Sequence, residues 1–356
     1  MGLLTSAYLA AFGAFQLPLG ILLDRYGARR VETALLLVAA AGAALFALAQ
    51  NMGELVVARA LIGLGASACL MASFKAFSQW FPLERQASLN AAVMAAGGMG
   101  ALTATVPLGW ALPLIGWRGS FGVLALFAVA VSAAIFSTPD KPAGAARENF
   151  ARQLAGLGGI LRSRVFWRFA PQSALISGGF MAIQGLWAVP WLMHFSGYTR
   201  EVAATHLLFM SVGMLSGFLF IATTVTRLAA RGLGAEILLS IGMAAGLTVG
   251  ALILFEAGST YVFWAAMGVV FSVSNLSYAL LARSFPAELA GRANTALNLF
   301  AFVGAFSVQW GFGALVDRFQ GDGATPHDAF HHAFAILLTL QALSYAWFLL
   351  GHKKPA

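Results

Sequence analysis

Asp24, Arg25, Arg29 and Arg30 stand between two long apolar runs in "LPLGILLDRYGARRVETALLL", Leu17 to Leu37. A carboxylate where an apolar helix ends can face the positive N-terminal end of a neighbouring helix. Such a contact is worth roughly 0.3–1 kcal/mol when exposed and up to ~2 kcal/mol when partly buried. Gly20 and Gly27 flank the aspartate and would allow close backbone approach and a tight turn. Other runs carry groups suited to holding a polar solute: Gln16, Arg59, Gln184, Trp187, Trp191, Asn275, Tyr278 and Asn298. Gln184, Trp187 and Trp191 recur at i, i+3 and i+7, on one helical face. Bond-breaking chemistry has no comparable set, because no Ser/His/Asp, HExxH or DxD group lies at helix-compatible spacing facing a common cavity. "HDAFHH" (327–332) has helical His spacing but no cysteine beside it, and no metal site is assigned there. "GLGASA" (63–68) matches a dinucleotide fingerprint without the preceding strand that would give it meaning. Neither an enzyme, a cofactor nor a bound metal is expected.

The elements that must position these groups are membrane spans. Of 356 residues, 60% are hydrophobic and 10% charged, with a mean hydropathy of +0.82. Soluble domains carry roughly 25% charged residues. Apolar runs of about 20 residues, enough to cross some 30 Å of hydrocarbon, recur along the chain. They place helices near 3–23, 31–50, 55–79, 88–113, 119–138, 166–193, 203–226, 235–256, 260–284, 291–316 and 329–351. Period-2 alternation is missing, which excludes a barrel and leaves an all-α polytopic membrane protein.

The net charge of +8 follows from topology and does not point to nucleic acid. Sixteen of the 21 Lys and Arg fall in alternate connections and the C-terminal tail, among them Arg25, Arg29, Arg30, Arg227, Arg231, Lys353 and Lys354. The positive-inside rule assigns those connections, and the C-terminus, to the cytoplasm. Arg59 and Lys75 lie inside the helix at 55–79. Arg59 is expected to face the cavity or to serve as a structural partner for carbonyls or Glu54, and Lys75 to snorkel. The thirteen acids all fall in loops or near helix ends, so no mid-membrane proton carrier is visible and an organic anion is the favoured solute class.

Internal repetition divides the chain. "WFPLERQASLNAA" (80–92) and "SFPAELAGRANTALN" (284–298) match at an offset of 204, and "RYGAR" (25–29) is echoed by "RLAAR" (227–231) at 202. Two parallel halves are expected: an N-terminal bundle of five helices at 1–138, a cytoplasmic linker at 139–165, and a six-helix bundle at 166–356. The helix at 166–193 has no partner in the first half, so one further apolar span is expected upstream, and without it Gln16 would face lipid or an open cleft.

"GILLDRYGARR" (20–30) resembles the loop signature of the major facilitator superfamily, which lies between the second and third helices of those transporters. "RALIGLGASA" (59–68) is similar to their fourth-helix motif and "GWRGSF" (116–121) to the entry of their sixth helix. The second-half copy is degenerate, with Thr226 where Asp24 stands in the first. The resemblance implies a two-bundle transporter fold and an alternating-access permease for a small polar solute in a bacterial cytoplasmic membrane. It also implies a conformational latch of Gly20, Asp24, Arg25, Gly27 and Arg29, with Asp24 engaging the start of the helix at 291–316. A coupling proton or other ion is left open, and a monomer in the bilayer is expected. The alternatives are a transporter-like solute sensor and an inactive truncated permease.

Overall fold

A computed structural model describes residues 2–104, 106–139, 150–256 and 260–351. The described residues are helical throughout, with turns between, and none forms a strand. In chain order the first elements are α1 (Gly2–Ala14), α2 (Gln16–Tyr26), α3 (Ala28–Leu48), α4 (Met52–Ala66), α5 (Cys69–Trp80), α6 (Leu83–Thr103), α7 (Val106–Phe136) and α8 (Phe150–Arg162). Then follow α9 (Arg164–Gln172), α10 (Gly178–Ala182) and α11 (Ala188–His194), joined by wider π turns at Ser173–Ser177 and Ile183–Trp187. The last six are α12 (Arg200–Ala230), α13 (Ala235–Leu254), α14 (Thr260–Ser274), α15 (Leu276–Arg283), α16 (Ala287–Gly321) and α17 (Pro326–Leu350).

Among the described residues, nine continuous stretches are long and apolar enough to cross a membrane, which makes this a multi-pass membrane protein. Two of the eleven expected spans, at 3–23 and 88–113, are not among these nine stretches. The run at 3–23 breaks at Phe15, between α1 and α2, and α6 ends at Thr103, inside the run expected at 88–113. The remainder of that run belongs to α7, which bends at Gly116 (φ 66°) in place of the expected loop. The helix expected at 291–316 runs on through "GALVDRF" (313–319) to Gly321, and the chain turns at Gly323, whose φ is 94°. The connection at 139–165 contains α8, although 140–149 lie outside the described residues.

Helix starts follow local capping chemistry. Asn51 accepts from the Glu54 N–H at 2.9 Å, while the Glu54 carboxylate accepts from the Gln50 N–H at 2.7 Å, closing a capping box on α4. Glu54 is thereby engaged at the cap, not with Arg59. Thr199 and Thr325 cap α12 and α17 in the same manner.

The chain forms two compact units. One comprises Met1–Gln86, Met99–Leu161 and Phe285–Leu299; the other comprises Ala87–Gly98, Arg162–Ser284 and Phe300–Ala356. The first half of α16 thus packs with early helices, and part of α6 packs with late ones. In the second unit an aromatic core gathers Phe180, Trp191, Phe195, Trp264, Phe330 and Phe334.

Candidate functional site

Gln16, Gly20 and Asp24 recur at i, i+4 and i+8 and form one stripe on α2. Within the first compact unit that stripe lies against Asn298, Thr295 and Arg292 of α16. At one end, Asp24 Oδ2 accepts from Arg292 Nε at 2.5 Å and Oδ1 from Lys75 Nζ at 2.7 Å. All three side chains are buried, at 8%, 4% and 7% exposure. One carboxylate between two cations leaves the cluster with a charge of +1. In the middle, a Cβ on Gly20 would sit 2.6 Å from Thr295 Oγ1 and 3.3 Å from Arg292 Cα, so only glycine permits this approach. At the other end, Gln16 is fully buried. Its Oε1 accepts from Asn298 Nδ2 at 3.0 Å, and its Nε2 donates to Ser67 O at 3.3 Å and Phe12 O at 3.4 Å.

Two expectations change here, and a third gains a named partner. Gln16 is enclosed and bonded, not open to lipid, because α16 supplies the covering amide. Lys75, expected to snorkel, turns inward because Asp24 gives its ammonium a counter-charge that burial would otherwise make prohibitive. Asp24 meets an arginine side chain in the second turn of α16, a stronger partner than a helix end alone. Arg292 was visible in the sequence only as one cytoplasmic charge among many.

The other motif residues do different work. Gly27 has φ 81° and ψ 157°, donates its N–H to Leu23 O at 3.1 Å, and turns the chain from α2 into α3. Arg29 donates to Phe136 O at 3.1 Å and Thr138 O at 2.9 Å, neutralising carbonyls at the end of α7. Arg25 is exposed, its guanidinium 5.3 Å from the Tyr26 ring, and stands outside the buried cluster.

Arg59 lies between aromatic rings, 4.9 Å from the centroid of Phe46 on α3 and 5.6 Å from that of Phe121 on α7. These partners belong to the first unit's own packing and favour the structural role over the cavity-facing one. Arg59→Ala should therefore lower thermal stability by about 1–2 kcal/mol, the value of a desolvated cation–π contact, with solute affinity within about twofold of the parent. Calorimetric melting and ligand titration on one preparation check this, and lost affinity at unchanged stability would contradict it.

In the second unit the remaining candidates disperse. Gln184 Nε2 lies 3.5 Å from Ser211 Oγ on α12. Trp187 donates from Nε1 to Gln309 O at 2.9 Å, its ring over Gly313, where a Cβ would come within 2.9 Å of Cζ2. Both sit in a π turn, which widens the helix and redirects side chains. Trp191 is 2% exposed and stacks 4.1 Å from Phe195, which places it in the aromatic core. Asn275, at the break between α14 and α15, is buried with Nδ2 unbonded, and Tyr278 is buried one turn on. Ser177 donates to Ser274 at 3.2 Å across the same region. Gln172, outside the expected set, is fully buried with both amide atoms unbonded. Among the described residues no group of three or more His, Cys, Asp or Glu could hold a metal.

The hexuronate transporter of Escherichia coli K12 is 29% identical over 116 residues, which are 33% of this chain and 27% of that protein. The probable L-galactonate transporter of the same strain is 28% identical over 130 residues, 36% of this chain and 29% of that protein. Each match thus spans under a third of the relative's length. The crystal structure of the E. coli fucose:proton symporter FucP superposes with a TM-score of 0.79 at 16% identity, covering 99% of this chain and 91% of that one. The Major Facilitator Superfamily model matches residues 1–308, so the chain belongs to that superfamily.

Proposed function

We propose that this protein is a secondary active transporter that moves a small hydroxylated carboxylate across the bacterial inner membrane by alternating access, with its C-terminus in the cytoplasm. The observation that carries the reading is the buried stripe of α2 against α16, in which helices from the two sequence repeats meet through Asp24–Arg292 and Gln16–Asn298. A contact made in one conformation alone shifts the equilibrium by its own free energy. With this crossing on the cytoplasmic side, its formation favours the outward-facing state and its rupture the inward-facing one. Asp24, Lys75 and Arg292 form the latch, Gly20 permits it, and Gly27 and Arg29 hold α3 in place beneath it.

Solute contact falls to the amides and indole of the second half, Gln172, Gln184, Trp187 and Asn275. Hexuronate and galactonate are polyhydroxylated carboxylates, and the relatives named for them support that class. Amide groups suit the hydroxyls of such a solute.

Uptake of labelled glucuronate into proteoliposomes tests the reading. The expected result is saturable uptake, competed by galactonate and not by the neutral sugar fucose. Uptake of fucose with no uptake of glucuronate would overturn the choice of an anion. Saturable binding of glucuronate with no flux would favour a sensor over a carrier.

A further inference from the structure

The glycine stripe "GMAAGLTVG" (242–250) on α13 is expected from its spacing to be a close helix-packing surface. Other glycines in the same unit behave that way. A Cβ on Gly178 would strike the backbone of Ala305 and Ala301, and one on Gly213 or Gly268 would strike the backbone of the facing helix. On the α13 stripe Gly242 is closely packed, a Cβ there lying 2.7 Å from Val273 Cβ, whereas Gly246 and Gly250 meet only the ends of side chains. Within 4 Å, Gly246 would touch just Val270 Cγ1 at 3.1 Å, and Gly250 just Leu338 Cδ1 at 2.8 Å. The missing side chains open a cavity of about 60 Å³ inside the second unit.

Its shape is that of a slot. The wall on α13 runs from Gly242 to Gly250, eight residues or about 12 Å of helix. Stretches of similar length on α14 (Met267 to Ser274) and α17 (Phe334 to Gln341) run beside it. The long axis therefore follows the helices and, in a bilayer, the lipid tails.

Its chemistry excludes water. The volume would hold more than one water molecule, and a buried water needs two to four polar partners. Ser274 and Gln341 are the polar side chains of the lining. Ser274 already donates to Phe271 O at 2.7 Å and accepts from Ser177, and the Gln341 amide nitrogen donates to Leu175 O at 2.9 Å.

We propose that this slot binds one extended hydrocarbon chain, the acyl tail of a bilayer phospholipid. Length, narrowness and a dry lining select a linear alkyl segment over a compact or polar ligand. The slot is built from side chains separate from the α2–α16 stripe, so the proposal stands whether or not the transport reading does.

The test uses the full chain in nanodiscs containing a phosphatidylcholine with a diazirine midway along one acyl chain, with cross-links mapped by peptide mass spectrometry. Met243 is 3% exposed, whereas Ile241 is 56% exposed. Labelling of both is expected in the parent. In Gly246→Leu, which fills the slot, labelling at Met243 should fall about tenfold or more while Ile241 is unchanged. Val270→Phe closes the slot from the opposite wall and should do the same, which keeps the test open if one variant does not fold. Labelling of Ile241 without Met243 in the parent, or a Met243 signal unaffected by both variants, would overturn the proposal. A parallel arm with a diazirine free fatty acid separates the sources: labelling of Met243 by the fatty acid alone would overturn the assignment to phospholipid.

Discussion

Asp24→Asn is expected to destabilise the latched conformation by about 3–5 kcal/mol, because it leaves two cations buried without a counter-charge. At 1.4 kcal/mol per tenfold, that moves the conformational equilibrium by more than a hundredfold toward the unlatched state. Uptake should fall to a few per cent of the parent while the protein still reaches the membrane. The three charges do not contribute equally. Lys75→Met leaves the Asp24–Arg292 pair, and Arg292→Gln leaves the Asp24–Lys75 pair, so each brings the cluster to neutrality. Both should be milder than Asp24→Asn, which raises the cluster to +2. Melting temperatures and uptake rates for the four proteins check the order. Damage from Lys75→Met equal to that from Asp24→Asn would contradict the charge count.

Gly20→Leu should be as severe by a different route. The new Cβ would lie 2.6 Å from Thr295 Oγ1 and 3.3 Å from Arg292 Cα, and the rest of the side chain has no space beyond. Overpacking of this kind typically costs about 1–3 kcal/mol. Here the strain exists only while α2 and α16 are in contact, so it acts wholly on the latched state. Transport should drop at least about tenfold, with solute binding retained in the unlatched form. Gly20→Ala should fall between the two. Parent-like uptake by Gly20→Leu would mean that the helices never approach this closely during turnover.

The helical membrane architecture was readable because apolar runs of span length leave little alternative once the backbone must satisfy its own hydrogen bonds. The breaks were harder to see. Pro18 cannot bond the carbonyl of Ala14, where α1 ends, and Pro190 follows the π turn at Ile183–Trp187, so the local signals were prolines inside apolar runs that still read as continuous spans. A latch role for Asp24 was implied only by the resemblance of "GILLDRYGARR" to the superfamily's loop signature. Its partners were not, since Lys75 and Arg292 are separated from it by 51 and 268 residues.

The repeat holds the missing signal. At the offsets 202 and 204, Asp24, Lys75 and Arg292 correspond to Thr226, Ala279 and Ser88, so the positions related to the cluster by the repeat carry none of its three charges. Among those positions Ser88 donates instead to Ala222 O, at the position matching Gly20. The cluster takes two charges from the first half and one from the second, and the repeat-related set has lost all three together. For Arg59 the sequence left a cavity-facing and a structural role open, and the rings of Phe46 and Phe121 beside it, which no local spacing encodes, favour the structural one.

The central claim is that the α2–α16 crossing forms and breaks during transport. Spin labels at Tyr26→Cys and Pro286→Cys, both exposed positions, in a Cys69→Ser background report that separation by double electron–electron resonance. The account predicts one short-distance population in the parent, a second and longer population when solute is added, and a predominantly longer one in Asp24→Asn. A distance distribution unchanged by solute and by Asp24→Asn would contradict it.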